Sequence, residues 1–163
     1  MVEIEKVEKA KRKENLVLAK VARAILLDEK ERVLLGVRAK GDEAGKWALI
    51  GGKPNEKESL ERAVIREVWE EVGLSFYPER YREIIGSGKD TPDSWLITYF
   101  WGYVEPTGIN LNPEEIIEAK FFTLEEVGKL DTAFDHWTVI CEFFANFSTI
   151  REGRQFPPLK LTT

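Results

Sequence analysis

Chemistry can be built from the stretch 52–74, where Gly52, Glu58, Arg66, Glu67, Glu70, Glu71 and Gly73 are set among apolar residues including Val68 and Leu74. From residue 59 to 72 there is no Gly or Pro, and Ala, Leu, Glu and Arg dominate, which predicts a helix. Ser59 is a good N-cap residue, and Gly73 supplies a left-handed stop. On that helix Glu67, Glu70 and Glu71 stand at i, i+3 and i+4, so their carboxylates share a face. Leu60, Val64, Val68 and Val72 recur at steps of four and form an apolar stripe alongside, so the acids border the buried face. Like charges so placed repel, and clustered oxygens suit a hard divalent ion, Mg²⁺ or Mn²⁺. The plainer alternative is a solvated acidic face with Arg66 as its intrahelical partner.

Other elements must carry that helix. Residues 16–27 are rich in aliphatics and read as a strand. Residues 28–30 make a turn and 32–38 a second strand, so the pair reads as a hairpin. A polar loop over 40–46 leads into a short strand, 47–52. A strand is expected to end near Gly86, followed by a loop over 87–94. Residues 95–104, WLITYFWGYV, are the most strand-like in the chain and apolar on both parities, so a central place in the sheet is expected. A turn-rich loop spans 105–113. Thr123 and Glu126 form a capping box for a short helix to Leu130. Residues 131–147 read as a longer helix with Phe134, Trp137, Ile140, Cys141, Phe144 and Phe147 on its packing side. Residues 1–14 allow a short helix or a frayed end.

The chain has 163 residues, enough for one domain with a real core. No run of about 18 apolar residues suggests a membrane span, and the charged start is not a signal peptide. The net charge is −5 with no basic block, which disfavours nucleic-acid binding. One Cys, Cys141, and one His, His136, exclude an internal disulfide and any multi-cysteine or multi-histidine metal site. These features are expected of a cytoplasmic protein whose metal is held by oxygen.

The spacing G-x5-E-x7-R-E-U-x-E-E-x-G-U, with U apolar, resembles the Nudix box in full. The resemblance extends from about residue 16 to about 130. It implies an α/β fold, a Nudix-type α/β/α sandwich with a mixed central sheet. The domain would span 16–150, between a charged extension over 1–15 and a tail over 151–163. It implies that the Gly51 carbonyl, Glu67, Glu70, Glu71 and Glu115 hold Mg²⁺ or Mn²⁺, with Glu118 as an alternative to Glu115. Glu67 is the first choice for general base, with Glu70 and Glu115 also in the catalytic group. Arg66 would orient the carboxylates, and Glu58 would pair with it. Arg38 would contact phosphate, and Lys53 either faces phosphate or solvent. Asp135, His136 and Trp137 would line the base or sugar pocket, unless Trp137 simply packs in the core. Ile50 stands where the family commonly has Pro, which leaves the loop shape open. The implied activity is cleavage of the pyrophosphate in a nucleoside diphosphate linked to another moiety. A (deoxy)nucleoside triphosphate comes first, then ADP-ribose or a nucleotide sugar, which Pro92 weakly supports, then dinucleoside polyphosphates. A non-catalytic module that senses a nucleotide is the alternative of another class. The partner expected is a small-molecule nucleotide, with neither nucleic acid nor membrane; a homodimer is compatible.

Overall fold

The structure, a computed structural model, describes residues 3–8, 18–86 and 94–152. Pro92, most of the loop expected over 87–94, much of the segment 1–15 and the tail from 153 lie outside the described residues.

The aromatic and β-branched run Trp95–Tyr103 forms β6. It pairs in parallel with β1 (Ala19–Leu27) along that strand's whole length, from Ala19↔Trp95 to Leu27↔Tyr103. On its other side it pairs antiparallel with β5 (Glu79–Gly86). Phe100 packs in the core on one face of the sheet and Tyr99 and Trp101 in the core on the other, which is why the strand's two parities look alike. The sheet is mixed, as the resemblance implied, and has seven strands among the described residues.

The expected hairpin forms only at its turn. β2 (Val33–Arg38) meets β1 at Leu27↔Val33 and then diverges to pair with β3 (Trp47–Ala48) and β7 (Ile116–Phe122). The middle of β1's edge is taken instead by β4 (Ile50–Gly52), through Ala22↔Gly52, Arg23↔Gly51 and Ala24↔Ile50. The turn itself is tied by buried Asp28, whose carboxylate accepts from the backbone N–H groups of Lys30 and Arg32 and from the Arg32 guanidinium at 2.7–3.0 Å. The single strand expected over 47–52 is broken at Leu49, because its N–H is donated to a side chain and not to a ladder: His136 Nδ1 accepts it at 3.0 Å.

Alternation along β1 splits the core in two. Ala22, Ala24 and Leu26 pack against Val64, Val68 and Val72 of α2 (Leu60–Val72). Two alanines here let the helix lie close to the sheet. Ile25 and Leu27 face the other way, toward Val139, Ile140 and Phe143 of α4 (His136–Ala145) and Phe147 of α5 (Phe147–Glu152). Helices thus cover both faces. α3 (Leu124–Val127) carries the capping box expected from Thr123 and Glu126. A helix over 3–8, α1, places Val7 among Leu18, Ile85 and Leu96.

The helix expected over 131–147 starts five residues late and breaks at Asn146. Segment 131–135 spends its backbone groups elsewhere. Ala133 N–H donates to the Trp47 carbonyl at 2.8 Å, and Thr132 bridges Trp47. Phe134 N–H donates to the Glu43 carboxylate at 2.6 Å with Phe134 in the left-handed region, φ 52°. A non-glycine there costs about 1–3 kcal/mol and needs such external ties. The packing side changes accordingly: His136, Val139, Ile140 and Phe143 are buried, while Phe134 and Trp137 are 46% and 38% exposed. Among the described residues no helix is long and apolar enough to cross a membrane.

Candidate functional site

The site begins with the ends of α2. Ser59 Oγ accepts from Arg62 N–H, and Gly73 closes the helix in the left-handed conformation. Two helical turns before Gly73, Arg66 makes five hydrogen bonds. Its Nε and Nη2 donate to both oxygens of Glu58 at 2.9 Å, Nη1 donates to Glu67 and Glu70 at 2.9 and 3.0 Å, and Nη2 donates to the Lys53 carbonyl at 3.0 Å. The Arg66 guanidinium, helped by the Asn55 N–H, pulls the Glu58 carboxyl down to about 2. The expected Glu58–Arg66 pairing is therefore present, and it fastens the loop before α2 to the helix.

Glu67 and Glu71 turn toward the sheet. Gly52 makes room for Glu67: a Cβ on it would lie 2.5 Å from the Glu67 carboxyl carbon. A Cβ on Gly51 would lie 2.1 Å from the Ala22 carbonyl oxygen, so only glycine lets β4 run this close to β1. Glu71 is 7% exposed. Burial first, then the neighbouring Glu67 charge, pushes its carboxyl up to about 8, and Arg23 opposes the shift. The Glu67 carboxylate beside it favours the protonated form of Glu71. The charge of Glu115 acts on Glu71 as well.

Arg23, Arg38, Lys40, Ala48, Leu49, Glu71, Glu115 and Ile116 line one cleft. Lys40 reaches Glu115 at 3.1 Å, and Arg38 Nε donates to the Asp42 carbonyl at 2.8 Å. The guanidinium of Arg38 lies 4.9 Å from the Phe134 ring centre and that of Arg23 6.0 Å from it. Arg23 Nη1 donates to the Leu49 and Gly51 carbonyls at 3.4 Å each.

The site residues expected from the sequence therefore divide. Arg38, Glu71 and Glu115 line the cleft, Glu67 neighbours Glu71, and the Gly51 carbonyl accepts from Arg23. Glu70 points to Arg66 at the rim and is half exposed. Lys53 lies over the Trp95 ring at 4.8 Å, and Trp137 packs on Gly128. Asp135 precedes α4 without making a side-chain cap bond. His136 is buried and occupied structurally by Leu49 N–H. Arg23 lines the cleft and Phe134 lies beside Arg38, and both stand outside the set of site residues expected from the sequence. For Arg23 the signal is a cation in the middle of an aliphatic run.

Among the described residues no three Asp, Glu, His or Cys side chains converge as a finished metal cage. The donor set nonetheless fits a hard divalent ion. It is made of oxygen atoms, the Glu67 and Glu71 carboxyls are crowded together, and Gly52 leaves room for the Glu67 carboxylate.

His136 gives a first testable consequence. Burial, with Arg23 and Arg38 nearby, holds its pKa well below the usual value. The folded state then binds fewer protons than the unfolded one, so stability is full above about pH 6.5 and falls as pH drops below it. His136→Leu should cost about 1–3 kcal/mol at neutral pH, because Leu49 N–H loses its acceptor. It should also remove this acid-side loss. Urea unfolding at pH 5.5 and 7.5 reads both.

The family model for the NUDIX domain matches residues 17–143. The chain is 45% identical over 51 residues to an oxidized purine nucleoside triphosphate hydrolase of Mus musculus, covering 31% of this chain and 33% of that protein. It is 29% identical over 119 residues to an ADP-ribose pyrophosphatase of Methanocaldococcus jannaschii, covering 72% and 69%. The chain thus spans about a third of the length of the first of these relatives. Among solved structures it resembles a MutT protein from Methanosarcina mazei Go1, with TM-score 0.67, 29% identity, and 84% and 99% of the two chains covered. It also shares its fold with the NUDIX domain of Shewanella oneidensis NrtR, with TM-score 0.72, 22% identity, and 90% and 99% covered.

Proposed function

The chain belongs to the NUDIX family, and we propose that it is a Mg²⁺- or Mn²⁺-dependent pyrophosphohydrolase acting first on a (deoxy)nucleoside triphosphate. The observation that carries this reading is one cleft in which Glu71 and Glu115 face Arg23, Arg38 and Lys40, with the Glu67 charge close to Glu71. Glu67, Glu71, Glu115 and the Gly51 carbonyl would hold the metal, with Glu70 at the rim. The chemistry a bound divalent ion supplies is neutralisation of the pyrophosphate charge and a more acidic water.

The protein's own groups position and move protons. Glu67 is the general base, taking the proton of the attacking water on its carboxylate. Arg66 fixes the Glu67 carboxylate through Nη1 and so acts as a positioning residue. Arg38 and Lys40 bind phosphate oxygens, and Phe134 offers a flat wall beside Arg38. Water adds to phosphorus, the bridging P–O bond breaks, and the leaving phosphate departs with the electron pair.

Three cations at one cleft suit the greater charge of a triphosphate. ADP-ribose is the second reading, favoured by the longer match to an ADP-ribose pyrophosphatase. A panel assay with Mg²⁺ separates them. A triphosphate gives a nucleoside monophosphate and pyrophosphate, while ADP-ribose gives AMP and ribose 5-phosphate. Binding of a nucleotide without turnover of any would replace the enzyme by a sensing module.

A further inference from the structure

We propose that Arg23 is a substrate-binding residue that takes a phosphate of the substrate's polyphosphate chain; this rests on reading the cleft as a nucleotide site. Arg23 sits in the middle of β1, opposite Gly51 on one side and Tyr99 on the other, on a strand whose neighbouring residues are buried aliphatics. A guanidinium in such a place needs a counter-charge. Among the described residues no carboxylate lies within ion-pair distance of it. Its partners are two carbonyls at 3.4 Å, both reached from Nη1. That distance is at the outer limit of hydrogen bonding. Arg66 shows the contrast, with five bonds at 2.9–3.0 Å and three carboxylates around it.

The second arginine sharpens the case. Arg23 and Arg38 both lie against Phe134 and both line the cleft, so each raises the cost of the other's charge. Glu71 and Glu67 offset part of this charge from a distance, and no carboxylate among the described residues pairs directly with Arg23. A phosphate carries both the charge and the pair of oxygens that a guanidinium fork matches. A purely structural Arg23, stapling Leu49 and Gly51 to β1, would need shorter bonds than these.

The two roles differ in their effect on the ligand-free fold. Arg23→Met keeps the length and removes the charge. It should unfold at a temperature equal to or above that of the parent, since it removes a desolvated guanidinium that no carboxylate pairs directly. Calorimetric titration with magnesium tripolyphosphate, which has no base or sugar, should show Kd raised at least about thirtyfold in Arg23→Met. Arg23→Lys should recover part of that loss. Unchanged tripolyphosphate affinity in Arg23→Met overturns the proposal, as does a parent protein that takes up none. A Met variant that fails to fold, or melts lower, assigns Arg23 a structural role and overturns it too. Loss confined to nucleosides and their monosaccharide portion would move the contact from phosphate to base or sugar and overturn the phosphate assignment. None of these readings needs turnover, so a parent that binds tripolyphosphate through Arg23 but hydrolyses nothing would count against the proposed activity alone.

Discussion

Glu71→Gln is expected to lower kcat at least about a hundredfold, the scale seen when a charge-stabilising group is lost, while making the metal-free protein more stable. The two effects have one origin. The carboxyl is 7% exposed and beside Glu67, and burial with that like charge raises its pKa to about 8. The folded state therefore holds a proton that the unfolded state has released. Stability from this group is full below the usual carboxylate value and is lost as pH rises through about 8. Glutamine resembles the protonated acid at every pH and escapes that loss. The difference in unfolding temperature between variant and parent, measured in chelator, should therefore be larger at pH 8.5 than at pH 5.5. Mg²⁺ or Mn²⁺ should stabilise the parent more at the higher pH, because binding displaces the proton, and should stabilise the variant little. A variant with parental kcat, or a stability difference that does not grow with pH, contradicts this placement of Glu71.

Arg66→Met should cut turnover about 10–100-fold and raise the metal concentration needed for half-maximal activity, as loss of a residue that orients metal ligands does. The guanidinium holds Glu67 and Glu70 on one nitrogen and both Glu58 oxygens on the others. Without it, three carboxylates crowd one end of α2 and the loop at Lys53 loses its tie. Lysine should rescue poorly, since one ammonium cannot span the fork. The parent should also lose stability as pH falls from the ordinary Glu range toward about 2, where Glu58 gains its proton, and the variant should not show that component. An unchanged metal requirement would place Arg66 outside the site.

What could be read from sequence and what could not follow from how far apart the partners lie. α2, its two caps and the Thr123 capping box rest on contacts within a few residues, and they are found where expected. Glu58 and Arg66 are eight apart, still within reach of a loop-to-helix pattern. β6 is central because its aromatic run is apolar on both faces. The start of α4 depends on Glu43 holding Phe134 across 91 residues, and the break at Leu49 depends on His136 across 87. Neither tie leaves a periodic trace. Glu70 shares its helical face with Glu67 and Glu71, as the spacing required, yet its rotamer goes to Arg66. Helical spacing sets which way a residue leaves the backbone, and the partner within reach decides where its carboxylate ends.

The central claim is tested most directly by crystals grown with Mn²⁺ and a non-hydrolysable nucleoside triphosphate, using the anomalous signal of manganese. The expected result is an ion bound by the Glu67 and Glu71 carboxylates, with the nucleotide's phosphates beside it. A bound nucleotide with no ion at those carboxylates, or an ion held only elsewhere on the molecule, would contradict it.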